Sequence, residues 1–319
     1  MATWTPVSDK PTRQDRTPKK ARRHVAGLRQ QDSVLRPPSS RRLRDRLRSD
    51  RPMLAACVLA GLVLVAAVLS PVLGSPSAED INFSKRLLAP SLQHPFGTDD
   101  LGRDLLVRVM RGGRISLAVG AGSTLLAVII GLLAGAAAGF RGGISGWIIM
   151  RTADLFLSIP IFLIILLLSS LVQPGIVSLC ILIGSTQWME VARVIRAVVL
   201  STKQNDFVEA ARALGLSERR ILFRHVLTHA TGPLLVTATI VLAQSIVMES
   251  AVSFLGFGIQ PPAASWGGML QNAQTFLGSA PWVAVLPGVM IFVIVLCFYT
   301  IGDSLRAALT PQSTATLQE

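Results

Sequence analysis

Residues 53–73 read MLAACVLAGLVLVAAVLSPVL, an unbroken run of 21 residues without a charged side chain. A helix of this length rises about 30 Å, which matches the hydrocarbon thickness of a bilayer. A secretory signal peptide is the alternative interpretation, because basic residues precede the run and small residues follow it. The run is longer than the usual core of a signal peptide, and the segment before it is too long for an n-region. We therefore predict a membrane span.

Five further stretches on the carboxyl-terminal side of this run are also long and apolar enough to cross a bilayer. Together with the first, the predicted spans are 53–73, 115–140, 153–172, 176–192, 233–256 and 282–302. The fourth is the most polar, since it contains Gln187 and Glu190, and one side of it must face a protein neighbour or an aqueous cavity. The sequence therefore predicts an all-α membrane protein with six transmembrane helices.

The composition agrees with lipid as part of the solvent. Of the 319 residues, 50% are hydrophobic and only 15% are charged, which is more apolar surface than a soluble domain buries. The net charge of +13 is concentrated, because 15 of the 31 Lys and Arg residues precede residue 52. A nucleic-acid-binding surface would spread them over a folded face, so we expect no nucleic-acid partner. Residues 1–52 are predicted to form a disordered basic cytoplasmic tail.

The basic residues also predict the orientation of the chain in the membrane. With the amino terminus inside, the cytoplasmic segments collect 25 Lys and Arg residues and the outer segments only six, as the positive-inside rule requires. Without the fourth span, the basic segment 193–224 would move to the outside. We therefore predict a multi-pass protein of the cell membrane with both termini cytoplasmic, including a short tail at 312–319.

The outer connection, residues 74–114, contains a helix-start signal. Thr98 is a candidate N-cap, and Asp99 and Asp100 suit the positive end of a helix dipole. Leu101, Leu105, Val109 and Met110 then recur at helical spacing. We therefore predict an amphipathic helix at the membrane surface before the second span, within a first unit at 53–114. Paired aspartates also suit a metal or acid–base site, but no His or Cys follows at ligand spacing.

No pattern in the chain predicts catalysis or a bound cofactor. Cys57, Cys180 and Cys297 lie in separate apolar segments, which argues against a metal site or a disulfide framework. A phosphate-binding Gly-x-x-x-x-Gly-Lys-Ser/Thr loop is absent from the sequence, so the chain does not hydrolyse ATP by itself. A membrane-embedded hydrolase is the alternative class. It would need converging ionisable groups, and the intramembrane candidates lie on different helices without a nucleophile motif: Asp154, Glu190 and Glu249.

Residues 201–229, between the fourth and fifth spans, are too regular for a linker. Asp206 and Glu209 have capping-box spacing, and Gly215 supplies a helix stop. The apolar face of this helix is formed by Phe207, Ala210, Ala211 and Leu214. Ser217 can start a second short helix, in which Ile221, Leu222 and Val226 pack.

Two interpretations of this segment remain open. Two short capped helices form a rigid lever if a soluble partner grips them, and the alanines permit a close approach. Alternatively, the segment is an amphipathic hairpin that rests on the membrane, which accounts for the apolar face but not for its small residues.

Glu209-Ala210-Ala211 followed by Gly215 resembles the EAA loop of bacterial ABC importer permeases. Three further stretches resemble the C-type permease subunit of dipeptide and oligopeptide importers. They are Phe96-Gly97-Thr98-Asp99 through Gly102-Arg103-Asp104, Ser253-Phe254-Leu255-Gly256-Phe257-Gly258-Ile259-Gln260-Pro261-Pro262, and Gly302-Asp303-Ser304-Leu305-Arg306. The likeness covers residues 53–311. The chain departs from the family at His225-Val226-Leu227-Thr228-His229, where a proline is usual, and Pro233 is a candidate replacement for the kink.

The resemblance implies a type I ABC importer permease bundle, with a permease core at 115–311 and cytoplasmic coupling helices. In that family the EAA helix docks into an ATPase subunit, which assigns a coupling role to Phe207, Glu209, Ala210, Ala211, Leu214 and Gly215. The implied partners are a second, non-identical permease subunit, separate subunits that bind ATP and Mg²⁺, and an extracytoplasmic substrate-binding protein. The implied cargo is a dipeptide or oligopeptide, and related permeases for nickel, glutathione or haem are the alternatives.

Three further candidate sites follow. Asp154 and Glu249 are candidates for contact with the amino terminus of a peptide in transit, because a buried carboxylate is costly unless it is paired or wetted. The alternative for Asp154 is a helix-terminus or subunit contact, and the alternative for Glu249 is interhelical hydrogen bonding. Gln260, Pro261 and Pro262 lie in an uncharged outer loop and are candidates for contact with the binding protein.

Overall fold

The computed structural model describes residues 49–73 and 80–309, and regular structure in this part of the chain is helical. Residues 312–319 and all but the last four residues of the predicted basic tail lie outside it. The helices, in chain order, are α1 (Arg51–Leu73), α2 (Leu105–Phe140), α3 (Gly143–Ser158), α4 (Ile161–Leu171), α5 (Ile176–Thr202), α6 (Asp206–Ala213), α7 (Glu218–Arg220), α8 (Thr231–Phe254), α9 (Trp266–Ala273) and α10 (Trp282–Leu309). Single 3₁₀ turns occur at Phe83–Lys85 and Gln274–Phe276.

Four helical stretches in the described residues are long and apolar enough to cross a membrane: α1, α2, the continuous helix Glu218–Phe254, and α10. The bent pair α3 and α4 gives a fifth span if it is counted as one. α5 has the length, with 27 residues, but its polar side chains keep it out of this set. Length and apolarity alone therefore support four or five spans, and the predicted count of six is not reached on these criteria.

The third predicted span, 153–172, is broken rather than continuous. α3 ends at Ser158, Ile159 is extended with φ −104° and ψ 137°, and α4 begins after Pro160. Proline lacks a backbone N–H and disfavours the helical conformation in the residue before it. The two helices consequently meet at 86°.

The predicted amphipathic helix at the membrane surface is wrong. Thr98 is fully buried and caps no helix, since its hydroxyl donates a hydrogen bond to the carbonyl oxygen of Lys85. Asp99 is also buried, and its Oδ2 pairs with Nε of Arg103 at 2.8 Å and with Nε of Arg108 at 3.2 Å. These residues therefore stabilise the fold of the connection between α1 and α2.

The segment assigned to that surface helix is instead the beginning of α2. Asp104 is the N-cap, and its Oδ1 accepts a hydrogen bond from the N–H of Val107 at 3.1 Å. Leu105 and Val109 are buried in the first turns of the same 36-residue helix. Leu105, Val109 and Met110 are helical as predicted, whereas Leu101 lies in the turn before α2. The buried Leu105 and Val109 face the protein interior and not the lipid surface.

α2 and α5 pack backbone against backbone through a line of glycines. Gly131, Gly135 and Gly139 lie one turn apart on α2 and face α5. A methyl group added at Gly135 would lie 2.5 Å from the carbonyl oxygen of Ala192, and one added at Gly131 would lie 2.5 Å from Cβ of Val191. Small residues at this spacing allow close helix packing in membranes, where dispersion contacts replace the hydrophobic effect.

The remaining helices pack around this pair. α1 and α10 form a second apolar cluster with α2 and α9. Its largest fully buried side chain is Trp266 at the start of α9, whose indole Nε1 donates to the carbonyl oxygen of Val109 at 2.8 Å. A third cluster joins α5 to α4, α2 and α8 around Ile165 and Ile183.

Gly135→Ala should destabilise the fold, because the added methyl group must separate α2 from α5. Overpacking of this kind costs about 1–3 kcal/mol. Gly61→Ala in α1 is the matched control, since a methyl group there meets nothing within 4 Å. Thermal unfolding of the two purified variants in the same detergent measures the effect, and equal midpoints would show that the α2–α5 contact is not close.

Candidate functional site

The segment between α5 and α8 contains α6, the eight-residue helix that carries the EAA triplet. Its N-cap is Asn205, without a side-chain capping bond, and Asp206 is the first helical residue. The predicted capping box between Asp206 and Glu209 is therefore wrong, because the helix begins one residue earlier than that motif requires. Glu209 consequently remains exposed on the helix surface.

The predicted stop at Gly215 is confirmed. Gly215 has φ +76°, the left-handed conformation that glycine adopts without steric cost. Its N–H donates to the carbonyl oxygen of Arg212 at 2.9 Å, and the N–H of Leu216 donates to that of Ala211 at 3.2 Å. This pair of bonds is a Schellman motif, which satisfies carbonyl groups at the end of α6 and fixes its length.

One face of α6 packs into the protein. Val208 and Ala211 are buried, in an apolar cluster that includes Val199 of α5 and Ile221 and Val226 after α7. The predicted packing of Ile221 and Val226 is thereby confirmed. Ala211, however, was predicted on the docking face and is instead buried in this internal cluster. The sequence alone does not distinguish an alanine that permits internal packing from one that permits docking.

The other face of α6 is exposed. Leu214 is 80% exposed and Phe207 is 40% exposed, and Glu209 and Ala210 are exposed as well. The ring of Phe207 also contacts the ring of His229, with centroids 5.5 Å apart. The structure therefore keeps five of the six predicted coupling residues accessible: Gly215 after the end of α6, and Phe207, Glu209, Ala210 and Leu214. We call the last four residues the α6 outer face.

The turn between α5 and α6 is held against the end of α2. Nζ of Lys203 donates to the carbonyl oxygen of Gly139 at 2.9 Å. Nε of Arg212 on α6 pairs with Oε1 of Glu218 on α7 at 3.0 Å. The first bond attaches the turn before α6 to α2, and the second attaches α6 to α7. The second pair is largely exposed and contributes little stability by itself.

The predicted second short helix is not a separate element. α7 begins after Ser217 and continues through a π-helical turn, Ile221–Val226, and a 3₁₀ turn, Leu227–Ala230, into α8. The change in helix geometry therefore precedes Pro233, which lies in the first turn of α8. Phe223 in the π-helical turn is 58% exposed. The sequence reading missed this exposed apolar residue, although it stands beside Arg224, in a segment outside the predicted spans.

Glu249 lies in the middle of an interhelical hydrogen-bond cluster. Its side chain is fully buried, and it accepts hydrogen bonds from Ser253 Oγ at 2.8 Å and from Ser250 Oγ at 3.5 Å. Ser116 of α2 and Ser265, the N-cap of α9, also hydrogen-bond to it. Of its two predicted roles, this arrangement favours interhelical hydrogen bonding, because no surface of the side chain is accessible to a cargo.

Asp154 on α3 pairs with Arg193 on α5, with a distance of 2.5 Å between Oδ1 and Nη2. About half of each side chain remains exposed. Asp154 also lines a cavity of about 290 Å³ together with Arg151 and Arg196. The carboxylate therefore has an interhelical partner and an accessible edge, so both of its predicted roles stay predictions.

The loop after α8 is exposed at Gln260, Pro261 and Pro262. Nε2 of Gln260 donates to the carbonyl oxygens of Gly256 and Gly258 at 2.9 and 3.1 Å, so this amide stabilises its own loop. Pro261 lines a cavity of about 210 Å³. The two prolines are the more accessible part of the predicted binding-protein contact.

No group of three or more His, Cys, Asp or Glu side chains within residues 49–73 and 80–309 is placed to hold a metal ion. Cys57, Cys180 and Cys297 are free thiols. The imidazole ring of His94 makes one polar contact in the described region, from Nδ1 to Oδ2 of Asp104 at 2.9 Å. The sites available for function are thus the α6 outer face, the interhelical carboxylates and the cavities.

Comparisons with known proteins agree with this architecture. Residues 127–313 match the family described as "Binding-protein-dependent transport system inner membrane component". The chain is 35% identical over 267 residues to the oligopeptide transport system permease protein OppC of Bacillus subtilis, covering 84% of this chain and 88% of that protein. It is also 35% identical over 266 residues to the dipeptide transport system permease protein DppC of Alkalihalophilus pseudofirmus, covering 83% of this chain and 88% of that protein.

A solved structure of the MetNI methionine ABC transporter in an inward-facing conformation is similar in fold. The TM-score is 0.51 at 22% sequence identity, and the match covers 63% of this chain and 96% of that chain. The all-α bundle predicted from the sequence is thus the type I ABC permease fold. The family match and the relatives, which are 35% identical over more than four fifths of the chain, show that the chain belongs to the family of binding-protein-dependent transport system inner membrane components.

Proposed function

We propose that this chain is the permease subunit of an ATP-driven importer of dipeptides or oligopeptides and forms half of the translocation pathway across the cell membrane. The family match and the names of the relatives support transport as the function and peptides as the cargo. Nickel, glutathione and haem remain the alternative cargoes. The names of the relatives favour peptides over these three.

The α6 outer face is the observation that carries the coupling part of the proposal. Leu214 and Phe207 are exposed apolar side chains in a connection outside the apolar spans, and such exposure is typical of a contact with another protein. Glu209 has no ion-pair partner among the described residues, so its charge is available to a basic groove. We propose that an ATP-binding subunit, which holds ATP and Mg²⁺, grips this face.

The alternative for this segment is a hairpin that rests on the lipid. One observation disfavours it: the inward packing of Val208 and Ala211 makes α6 rigid without any contact with lipid.

The remaining partners follow from the same proposal. A second, non-identical permease subunit supplies the other half of the pathway, and an extracytoplasmic binding protein delivers cargo at the loop that contains Gln260, Pro261 and Pro262. Both termini are then cytoplasmic, and α6 lies on the cytoplasmic side with the ATP-binding subunits. Asp154, with its accessible edge, is retained as a candidate for cargo contact, whereas the buried Glu249 is proposed to link helices.

A purified complex of this chain with the second permease, the ATP-binding subunits and the binding protein should import peptides into proteoliposomes. We expect ATP-dependent accumulation of at least one of a labelled dipeptide, tetrapeptide and hexapeptide, and none with a non-hydrolysable ATP analogue. Uptake of nickel without uptake of any peptide would contradict the proposed cargo. An active assembly that contains only this chain would contradict the proposed second permease.

Ala210→Trp and Ala211→Trp should have different effects, although the two residues are adjacent. Ala210→Trp obstructs the α6 outer face, so ATP-dependent uptake should fall about tenfold, equivalent to about 1.4 kcal/mol, with normal thermal stability. Ala211→Trp overfills the internal cluster and should lower the stability of the subunit by about 1–3 kcal/mol. Uptake, coprecipitation of the ATP-binding subunits and thermal unfolding measure the difference. If Ala210→Trp leaves uptake and coprecipitation normal, docking at this face is excluded.

A further inference from the structure

The break between α3 and α4 borders a cavity of about 160 Å³ inside the helix bundle. Leu157 and Ile161 line it on either side of the break. Irregular backbone at membrane depth is tolerated only where it is buried in protein or lines a water-filled space. The cavity beside the break has a mixed lining, because Met189 and Met248 line it together with four polar side chains.

α5 contributes Thr186, Gln187 and Glu190 to this cavity, and α8 contributes Gln244. Glu190 lies near the middle of α5, about 21 Å along the helix from Ile176. Two amides, a hydroxyl and a carboxylate thus meet near the middle of α5. Polar groups at this depth are costly unless they serve a partner, a ligand or a conduction path.

Gln187 has hydrogen-bonding capacity that the described residues do not use. The residue is only 7% exposed, and its Oε1 accepts from Ser245 Oγ at 3.2 Å. Its Nε2 is buried without a hydrogen-bond partner in the described part of the chain. An unpaired buried amide costs free energy, so this group is placed for a ligand that hydrogen-bonds to it.

Glu190 differs from the other two intramembrane carboxylates. Asp154 is paired with Arg193, and Glu249 is enclosed by serine hydroxyls, whereas Glu190 is exposed and has no ion-pair partner among the described residues. A free carboxylate beside the unpaired Nε2 of Gln187 complements a ligand that carries a positive charge and peptide-like groups.

The cavity also lies at the start of a polar stripe along α5. Successive side chains at helical spacing are Thr186, Glu190, Arg193, Ala197 and Ser201, and all but the first are exposed. The stripe runs about 22 Å towards the end of α5 that precedes α6. It lies about half a turn around α5 from the residues that contact the α2 glycines, so it faces away from α2.

We propose that this cavity is a cargo-contact site, in which Glu190 binds the ammonium group and Gln187 and Gln244 bind the peptide groups of a passing peptide. The stripe on α5 is then the wall of the aqueous route that leads from the site. The assignment of a peptide as the ligand rests on the proposed function, whereas the assignment of an aqueous route rests only on the geometry of α5 and the α3–α4 break.

The accessibility of position 190 to water tests whether the route is aqueous, and this experiment needs no cargo. In the full assembly, with Cys57, Cys180 and Cys297 replaced by alanine, a cysteine at Glu190 should react with a charged, water-soluble thiol reagent. A cysteine at Leu125 is the control, because this α2 side chain is 63% exposed on an apolar surface and should not react. If the cysteine at 190 fails to react with and without ATP, the aqueous route is wrong.

The number of peptides imported per ATP hydrolysed tests whether Glu190 binds the cargo. Glu190→Gln should lower the number of peptides imported per ATP about tenfold, the effect of losing about 1.4 kcal/mol of charge-assisted binding. Binding-protein-stimulated ATP hydrolysis and subunit assembly should stay near normal, which separates this variant from Ala210→Trp. Glu190→Asp retains the charge and should keep most of the import per ATP. Ser185→Ala lies outside the stripe and should leave the import per ATP unchanged.

The outcomes distinguish the two proposals. Normal import per ATP in Glu190→Gln, in an assembly that imports peptides, would overturn the cargo-contact site and leave the proposed function intact. Absence of peptide import by the unmodified assembly would overturn the proposed function and, with it, the peptide as ligand. A reactive cysteine at position 190 would then still support the aqueous route.

Discussion

The close approach of α2 and α5 is the contact on which the rest of the structure depends. Because Gly131, Gly135 and Gly139 present no side chains, the backbone of α5 packs directly on α2, and this contact fixes the rotation of α5 about its axis. The opposite side of α5 then carries Glu190 and Arg193, which would be costly against lipid. One packing interaction thus determines which way the polar stripe faces.

The same packing extends to α6. Val208 and Ala211 enter the apolar cluster that contains Val191 and Val199 of α5, so the α6 outer face and the stripe belong to one packed unit. Lys203 fastens the intervening turn to the end of α2. A displacement applied to α6 should therefore reach the cavity at the α3–α4 break with little loss, because packed interiors transmit strain.

Sequence reasoning was most successful where a local rule decides the structure. The apolar runs, the stop at Gly215 and the family motifs all follow from short stretches of chain, and the family assignment is confirmed. It failed where the partner lies far away: the sequence cannot show that Ala211 faces Ile221 or that Asp154 meets Arg193. The break at Pro160 and the glycine spacing on α2 were readable signals that the span prediction overlooked.

The central claim is that α6 and the polar stripe move as one body. Spin labels at Ser185 on α5 and Ala213 on α6, both exposed, measure this directly by pulsed electron resonance in the full assembly during verified ATP turnover. The account predicts one distance distribution that stays the same in the ATP-free and ATP-bound states. A shift or a second distance in either state would contradict it, because α6 would then move independently of the stripe.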